Sequence, residues 1–177
     1  MFTTFTHPFL KLRLGRNEDG AGMGKLIARI FADYENCPFL PNEFPELEGP
    51  ADFYRGKKKG ELWILEDPRP DSIFPVAGSI AIAPTYEPTR FEVFKVYLSH
   101  EFRGQGLSQI MLDQALDYAR AHHATEVVLW TDTRFHAGHG FYEKTGFTRI
   151  AGIRQLHDAS ETFEFGYRRV LKADKDQ

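Results

Sequence analysis

Cysteine is nearly absent from this 177-residue chain, in which Cys37 is the single example. One cysteine cannot form an intramolecular disulfide, and it offers no partner for a cysteine-based zinc site. This scarcity excludes a disulfide-stapled scaffold and points to a reducing compartment.

An excess of basic residues is missing too. The chain has 22 lysines and arginines against 25 aspartates and glutamates, so its formal net charge is −3. A nucleic-acid-binding domain usually carries a strong basic excess. The basic run at 55–59 is short and isolated, which favours a solvated loop over a phosphate-binding patch. We therefore expect no nucleic-acid partner.

Long apolar runs are also lacking. None approaches the roughly 20 residues that a membrane-spanning helix requires. Residues 1–5 do not show the basic-then-apolar layout of a secretory signal. We therefore expect a cytoplasmic protein without a membrane partner.

The chain does have enough apolar material for one core. Hydrophobic residues make up 42% of it and include 16 phenylalanines. Its length falls within the usual size of one domain, roughly 100–200 residues. We expect a single domain over 1–177, in which aromatic packing supplies much of the core.

Hydrophobic periodicity predicts alternating strands and helices. The predicted strands are 9–16, 61–66, 75–83, 91–98, 126–130, 147–156 and 162–171, and the predicted helices are 25–34, 108–122 and 140–144. Segment 17–24 has three glycines and is predicted to be a turn. Segment 37–50 is rich in proline and is predicted to be a loop or broken helix over an apolar surface.

The order of these elements predicts an α/β (α+β) fold with a mixed sheet. Strand 91–98, helix 108–122 and strand 126–130 form a strand–helix–strand unit, which predicts a parallel crossover. The helices are expected on the faces of the sheet.

Two glycine-rich segments are candidate phosphate-binding loops. Gly20–Lys25 lacks the spacing of a Walker A loop and of a dinucleotide-binding loop, which favours a plain turn. Arg103–Ser108 lies between a predicted strand and a predicted helix, where backbone N–H groups and the helix dipole favour an anion. The alternative for this second segment is an ordinary helix start with Ser108 as the N-cap.

A third segment, 141–147, reads Phe-Tyr-Glu-Lys-Thr-Gly-Phe and follows the second glycine loop by one predicted strand. In order and in spacing, the two segments resemble the GCN5-related N-acetyltransferase (GNAT) family. In that family an Arg/Gln-x-x-Gly-x-Gly/Ala loop binds the pyrophosphate of acetyl-CoA, and a Tyr-Glu-Lys-x-Gly-Phe block follows. The resemblance covers about 91–148. It implies a largely antiparallel, twisted sheet of about six to seven strands, with one parallel β-α-β crossover around 91–130.

The resemblance also implies which residues bind acetyl-CoA. The pantetheine arm is expected along the strand backbone at Val96, Tyr97 and Leu98. The pyrophosphate is expected at the residues of the glycine loop, namely Arg103, Gly104, Gln105, Gly106, Leu107, Ser108 and Gln109. The family often has an asparagine where this chain has Phe135, which cannot hydrogen-bond the pantetheine. Segment 131–134 is the candidate to replace that contact.

Two residues are candidates for proton transfer. Tyr142 matches the tyrosine that protonates the leaving thiolate in the family, and its alternative role is packing on the sheet. Glu92 resembles the strand glutamate that histone-type members use as a base. Strand alternation predicts that Glu92 shares one face with Phe94, Val96 and Leu98. The alternatives are that Glu92 is a strand-end charge reaching solvent and that a water chain or another residue is the base.

The implied activity is acetyl transfer from acetyl-CoA to a primary amine, by direct attack in a ternary complex. No metal is expected, since no cysteine or glutamate near His136 and His139 completes a metal site. The acidic residues within 33–48 favour a small cationic acceptor, such as a polyamine, an aminoglycoside or an amino-acid derivative. The alternatives are a protein lysine or N-terminus as acceptor, or a non-catalytic acyl-CoA-binding or regulatory module on the same fold. The last two strands are candidates for a homodimer interface.

Overall fold

The structure, a computed structural model, describes residues 7–171. The prediction that residues 1–5 are not a secretory signal therefore lies outside the described residues. Its strands are β1 (Lys11–Leu14), β2 (Glu61–Glu66), β3 (Val76–Pro84), β4 (Arg90–Leu98), β5 (Glu126–Asp132), β6 (Thr148–Gln155) and β7 (Phe163–Val170). Its α-helices are α1 (Gly20–Phe31), α2 (Leu107–Ala121) and α3 (His136–Lys144). The bounds of all seven predicted strands agree with these to within two residues.

The seven strands form one mixed sheet in the order β1-β2-β3-β4-β5-β7-β6. Five neighbouring pairs are antiparallel, and α2 joins the parallel pair β4 and β5. The predicted fold class and its parallel crossover are confirmed.

Helices cover both faces of the sheet. The buried side of α2 packs on one face, where Met111, Leu112 and Leu116 join the larger apolar cluster. On the other face, the fully buried Met23 and Leu26 of α1 pack in a second cluster. None of the helices within residues 7–171 combines the length and apolarity needed to cross a membrane.

The predicted turn at 17–24 is wrong, because α1 already begins at Gly20, after a short 3-10 turn at Asn17–Asp19. A Cβ atom on Gly20 would lie 1.8 Å from the Leu47 carbonyl oxygen, and one on Gly22 would lie 2.5 Å from Val76 Cγ2. These glycines therefore allow close packing of the first turns of α1. Tertiary contact outweighs the low helix propensity of glycine here.

We expect Gly20→Ala to lower the free energy of unfolding by about 1–3 kcal/mol, because the added methyl group displaces the segment that carries Leu47. Gly140→Ala is the matched control. Gly140 is also a helix glycine, but a Cβ atom on it meets no atom within 4 Å. Alanine there should raise the free energy of unfolding by about 0.5–1 kcal/mol. Denaturant titration measures both, and effects of equal sign would contradict the packing role of Gly20.

The segment between α1 and β2 confirms one prediction and corrects another. Proline-rich 37–50 is a broken helix of two 3-10 turns, Pro41–Glu43 and Pro45–Glu48. Its Phe44 ring lies 6.0 Å from that of Phe31 on α1, so the segment covers an apolar surface as predicted. In the basic run at 55–59, residues 55–57 belong to a π-helical segment, Asp52–Lys57, and 58–59 lie in the bend that follows it.

Candidate functional site

The candidate site lies where β4 and β5 separate. Their pairing ends at Val93 and Leu129. Beyond that point β4 continues to Leu98 along β3, and β5 continues to Asp132 along β7. A cavity of about 530 Å³ opens into the gap between the two strands. A gap of this kind exposes strand backbone to a ligand that runs alongside it.

A β-bulge at Lys95 decides which side chains of β4 face which side of the sheet. The register changes from Ala81 opposite Phe94 to Ser79 opposite Tyr97, so β4 has one additional residue there. Lys95 has a φ of 53°, and its carbonyl accepts a hydrogen bond of 2.7 Å from the hydroxyl of the fully buried Ser79. A side chain from β3 thus satisfies the bulged backbone.

The prediction that Glu92, Phe94, Val96 and Leu98 share one face is wrong because of this bulge. Phe94 packs in the cluster on the α1 side, together with Tyr97. Val96 and Leu98 pack in the cluster on the α2 side. Simple alternation holds only as far as Phe94.

The second glycine loop forms the N-terminus of α2, as predicted. Gly104 and Gly106 have φ values of 75° and 76°, and a Cβ atom on either would meet no atom within 4 Å. The first N–H groups of a helix have no acceptor within it, and the hydrogen bonds of α2 begin with Ile110 N to Gly106 O at 3.2 Å. Open space beside free N–H groups and a positive dipole end is the arrangement that binds phosphate.

The side chains of this loop leave that space open. Gly106 occupies the N-cap position, so the alternative role of Ser108 as N-cap is wrong. The amides of Gln105 and Gln109 donate to the Glu101 carbonyl and to Asp113, at 3.1 and 2.8 Å. Arg103 and Ser108 line the cavity; the remaining predicted loop residue, Leu107, is buried in the core.

Two tyrosines line the cavity at the gap, Tyr142 from α3 and Tyr97 from β4. Tyr142 is only 7% exposed, and its ring lies 6.0 Å from that of Tyr167 on the sheet. It therefore packs on the sheet and also reaches the cavity. Burial raises the pKa of both cavity hydroxyls, and the charge on Tyr142 raises the pKa of Tyr97 further. Tyr142 therefore stays protonated at neutral pH and has a proton to give.

Besides Asp132, the structure places two glutamates on the strands near the gap. Glu92 is half-buried, and burial raises its pKa, but on β4 the cavity lining begins one residue later, at Val93. Glu164 of β7 does line the cavity, with its side chain 13% exposed. Burial raises its pKa as well. Sequence reasoning missed Glu164, although its position between Phe163 and Phe165 was a usable signal.

Sequence reasoning named Arg134 only as part of segment 131–134 and missed its role, which is to join three segments that border the cavity. Its guanidinium binds both oxygens of Asp132, with Nε–Oδ1 and Nη2–Oδ2 distances of 2.9 and 2.6 Å. It also donates to the backbone carbonyls of Glu35 and Asn36 after α1, and to the Ser160 hydroxyl between β6 and β7. Segment 131–134 is the predicted replacement for a pantetheine contact. Through Arg134 it binds two loops, one after α1 and one between β6 and β7.

A further hydrogen bond connects the same two loops. The backbone N–H of Ala159 donates to Glu43 Oε1 at 2.8 Å. We call this bond and the Arg134 contacts together the roof of the cavity. Of the acidic residues within 33–48, Glu43 lines the cavity, whereas Glu46 pairs with Lys95 and Asp33 with His100.

Four rings form what we call the aromatic wall of the cavity: Phe31, Tyr34, Phe44 and Phe135. Phe135 lies 5.7 Å from Phe31 and 4.8 Å from Tyr34 between ring centroids. The residue that stands in place of the family's asparagine therefore packs towards α1. The four rings therefore lie beside the segments that the roof joins.

The two histidines of α3 have other partners. His139 Nε2 lies 2.9 Å from the Asp132 carbonyl, and its ring stacks on Tyr167 with centroids 6.1 Å apart. The ring of His136 lies edge-on to that of His139. Within residues 7–171, no group of three His, Cys, Asp or Glu side chains is placed to hold a metal ion.

The curated proteins that this chain matches are N-acetyltransferases. "N-acetyltransferase 8F1" from Rattus norvegicus is 30% identical over 113 residues, covering 55% of this chain and 48% of that protein. The chain spans between 38% and 48% of the length of the curated relatives it matches.

Two solved structures share the fold. A GNAT-family acetyltransferase from Staphylococcus aureus Mu50 has a TM-score of 0.74 at 16% identity, covering 92% of this chain and 99% of that one. The NatC complex bound to Gag peptide and CoA contains a chain with a TM-score of 0.69 at 19% identity, covering 93% and 99%.

The family model described as "Acetyltransferase (GNAT) family" matches residues 27–147, well over half of the chain. That range includes the gap between β4 and β5, the glycine loop and Tyr142. The chain belongs to the GNAT family of acetyltransferases.

Proposed function

We propose that this chain transfers the acetyl group of acetyl-CoA, the donor its family uses, to the primary amine of a small cationic molecule. The observation that carries the proposal is that one cavity joins three features: an open helix N-terminus, a gap between two strands and a buried, protonated tyrosine. Direct attack in a ternary complex requires no covalent enzyme intermediate, and positioning of the two substrates supplies much of the acceleration.

In this proposal the glycine loop holds the pyrophosphate and the backbone of 96–98 holds the pantetheine arm. Both segments border the gap between β4 and β5, so the thioester carbonyl lies near Tyr142. The Tyr142 hydroxyl then protonates the departing thiolate. Glu92 stays the sequence-based candidate for the base.

The roof supports a small acceptor over a protein chain. An extended peptide needs an open groove, whereas here the loops after α1 and between β6 and β7 are bonded to each other. The aromatic wall and the carboxylates of Glu43, Asp158 and Glu164 line the space beneath. Aromatic faces and carboxylates both attract cations.

The test is an acetyl-transfer assay with a panel of amines. Release of the CoA thiol would be followed with spermidine, kanamycin and lysinamide, and with a peptide carrying a lysine and a free N-terminus. We expect acetylation of at least one small cation, identified by mass spectrometry, and little of the peptide. Acetylation of the peptide alone would make the chain a protein acetyltransferase. Acetyl-CoA binding without any acetylation would make it a non-catalytic acyl-CoA-binding module.

We expect Arg134→Lys to raise the acceptor KM about 5- to 30-fold, the equivalent of about 1–2 kcal/mol. A single ammonium group cannot replace the fork that binds Asp132 and both loops at once. The affinity for acetyl-CoA should change little, because the hydrogen bonds of Arg134 go to segments other than the glycine loop.

Arg69→Lys is the matched control for Arg134→Lys. Arg69 binds both oxygens of Asp67 at the same two-residue spacing, with distances of 2.8 and 2.6 Å, and is not a cavity residue. Its replacement should leave the acceptor KM unchanged. Equal KM values for the two variants would contradict the role of the roof.

We also propose that the whole chain, 1–177, forms one catalytic domain that acts in the cytoplasm, which the single cysteine supports.

A homodimer through the last two strands is supported by β6, an edge strand on which Ile153 is 56% exposed. Sedimentation equilibrium tests the dimer, and a monomer at all concentrations would exclude it.

A further inference from the structure

We propose that Glu164 is the catalytic residue that takes the proton from the ammonium group of the acceptor. This inference rests on the proposed acetylation of an amine. At neutral pH a primary amine is protonated and has no lone pair for attack on the thioester, so a proton acceptor is needed beside it. The position, the free oxygen and the surroundings of Glu164 meet that need.

The sheet register places Glu164 at the gap. Glu164 of β7 lies directly opposite Asp132, the last residue of β5, where β5 has already separated from β4. It lines the same cavity as Tyr97 and Tyr142. Burial raises the pKa of Tyr97 most, and the negative charge of Glu164 raises it further.

One oxygen of Glu164 is left for a ligand. Arg154 Nε and Nη2 both bind Oε2, at 2.7 and 2.6 Å. Among residues 7–171, no hydrogen bond reaches Oε1. The side chain as a whole is 13% exposed. A partly buried carboxylate oxygen without a partner is a proton acceptor poised for a cation.

The other carboxylates of the cavity differ from Glu164 in partners or position. Asp132 gives both oxygens to Arg134. Glu43 accepts from Ala159, and Asp158 accepts from Ser160, through one oxygen each, but neither lies on a strand. Glu92 lies outside the lining; burial raises its pKa, and the charges of Arg154 and Lys58 oppose that shift. Glu164 alone of the five combines the cavity wall, a strand backbone and a free oxygen.

The proton transfers balance as follows. Glu164 takes one proton from the ammonium group, and the nitrogen lone pair forms the N–C bond to the thioester carbonyl. The C–S bond breaks with its electron pair going to sulfur, which takes the Tyr142 proton. The second proton that the nitrogen loses replaces the one on Tyr142. Glu164 releases its proton to solvent before the next turnover.

The test compares Glu164→Gln with wild type, using whichever of spermidine, kanamycin and lysinamide the wild type acetylates. We expect kcat/KM to fall on the order of 100-fold at neutral pH. The difference in kcat/KM between the variant and the wild type should shrink about tenfold for each pH unit as the pH rises towards the pKa of the amine. The reason is that an amine already deprotonated in solution does not need the carboxylate. Loss of a merely structural contact would not produce this recovery.

The charged groups that face Glu164 also bear on the wild-type profile. They are Arg154, Asp132, Asp158 and Glu92. Wild-type activity requires ionised Glu164, so the activity falls as the pH drops through the pKa of Glu164. Because burial raises that pKa, the fall begins above the range of an ordinary glutamate. In the Gln variant, kcat/KM should instead follow the fraction of free amine and fall about tenfold per pH unit below the pKa of the amine.

Glu61→Gln is the matched control. Glu61 is also a strand carboxylate, 13% exposed and paired with a more exposed arginine, Arg55, but it is not a cavity residue. It should keep the wild-type rate and pH profile. Calorimetric titration with acetyl-CoA reports whether each variant folds, and if Glu164→Gln does not bind, Glu164→Asp replaces it. The aspartate should fold and retain the acid limb at a reduced rate.

Three outcomes separate the inference from the proposed function. If the wild type acetylates no amine, the proposed function fails. If the wild type is active and Glu164→Gln keeps its rate, or loses rate equally at every pH, the role of Glu164 is overturned. If Glu92→Gln shows the pH-dependent deficit and Glu164→Gln does not, Glu92 is the base.

Discussion

We expect Gly106→Trp to abolish acetyl-CoA binding in a calorimetric titration, with Kd raised at least about 100-fold, or about 3 kcal/mol. The space beside the N-terminus of α2 is open, and a Cβ atom on Gly106 meets no atom within 4 Å. An indole there fills the space in which a pyrophosphate would meet the first N–H groups of the helix. The fold should persist, because the side chain points away from the core.

Gly152→Trp is the matched control for this variant. Gly152 also has a positive φ, 93°, and a Cβ atom on it also meets no atom within 4 Å. The two variants therefore share the strain of a bulky residue in left-handed backbone. Gly152 lies on the exposed strand β6, outside the cavity, so its variant should bind acetyl-CoA as the wild type does. Normal binding by Gly106→Trp would remove the glycine loop from the donor site.

The second large effect is expected for Tyr142→Phe, which should lower kcat on the order of 100-fold while Kd for acetyl-CoA stays within about twofold. The substitution removes one buried hydroxyl and keeps the ring that packs against Phe147 and Tyr167. A loss in kcat alone is typical of an interaction made only in the transition state. Single-turnover and steady-state kinetics at saturating donor measure it.

Tyr167→Phe is the control for a buried tyrosine. Its hydroxyl donates to Glu143 Oε1 at 3.3 Å, and it is not a cavity residue, so kcat should stay unchanged.

The pH dependence gives a second check on Tyr142. A general acid acts while protonated and is lost as pH rises through its pKa, which burial raises above the ordinary value of about 10. Unchanged turnover in Tyr142→Phe would remove this residue from the mechanism.

Local patterns in the sequence were enough to predict most of the fold. The strands were found because alternation and short apolar runs are local properties, and the central strand β3 is buried on both faces. The glycine loop was found because its glycines lie at a junction of strand and helix. The start of α1 was missed because the reason for Gly20 is a carbonyl at Leu47, 27 positions away in the chain.

The parts of the site that sequence reasoning missed depend on long-range contacts. The bulge at Lys95 contains no glycine and depends on the hydroxyl of Ser79 on the neighbouring strand. Arg134 acts through carbonyls 98 and 99 residues earlier in the chain. Glu164 reaches the gap only through the register of β7 on β5. No local spacing encodes these partnerships.

The aromatic wall has a consequence for the end of the reaction cycle. With the acceptor proposed above, the amine would enter the cavity as a cation, which ring faces attract by about 0.5–2 kcal/mol each when well placed. Acetylation would convert that group into a neutral amide, so the same rings and carboxylates would bind the product more weakly than the acceptor. We therefore expect inhibition by accumulated product to be weak.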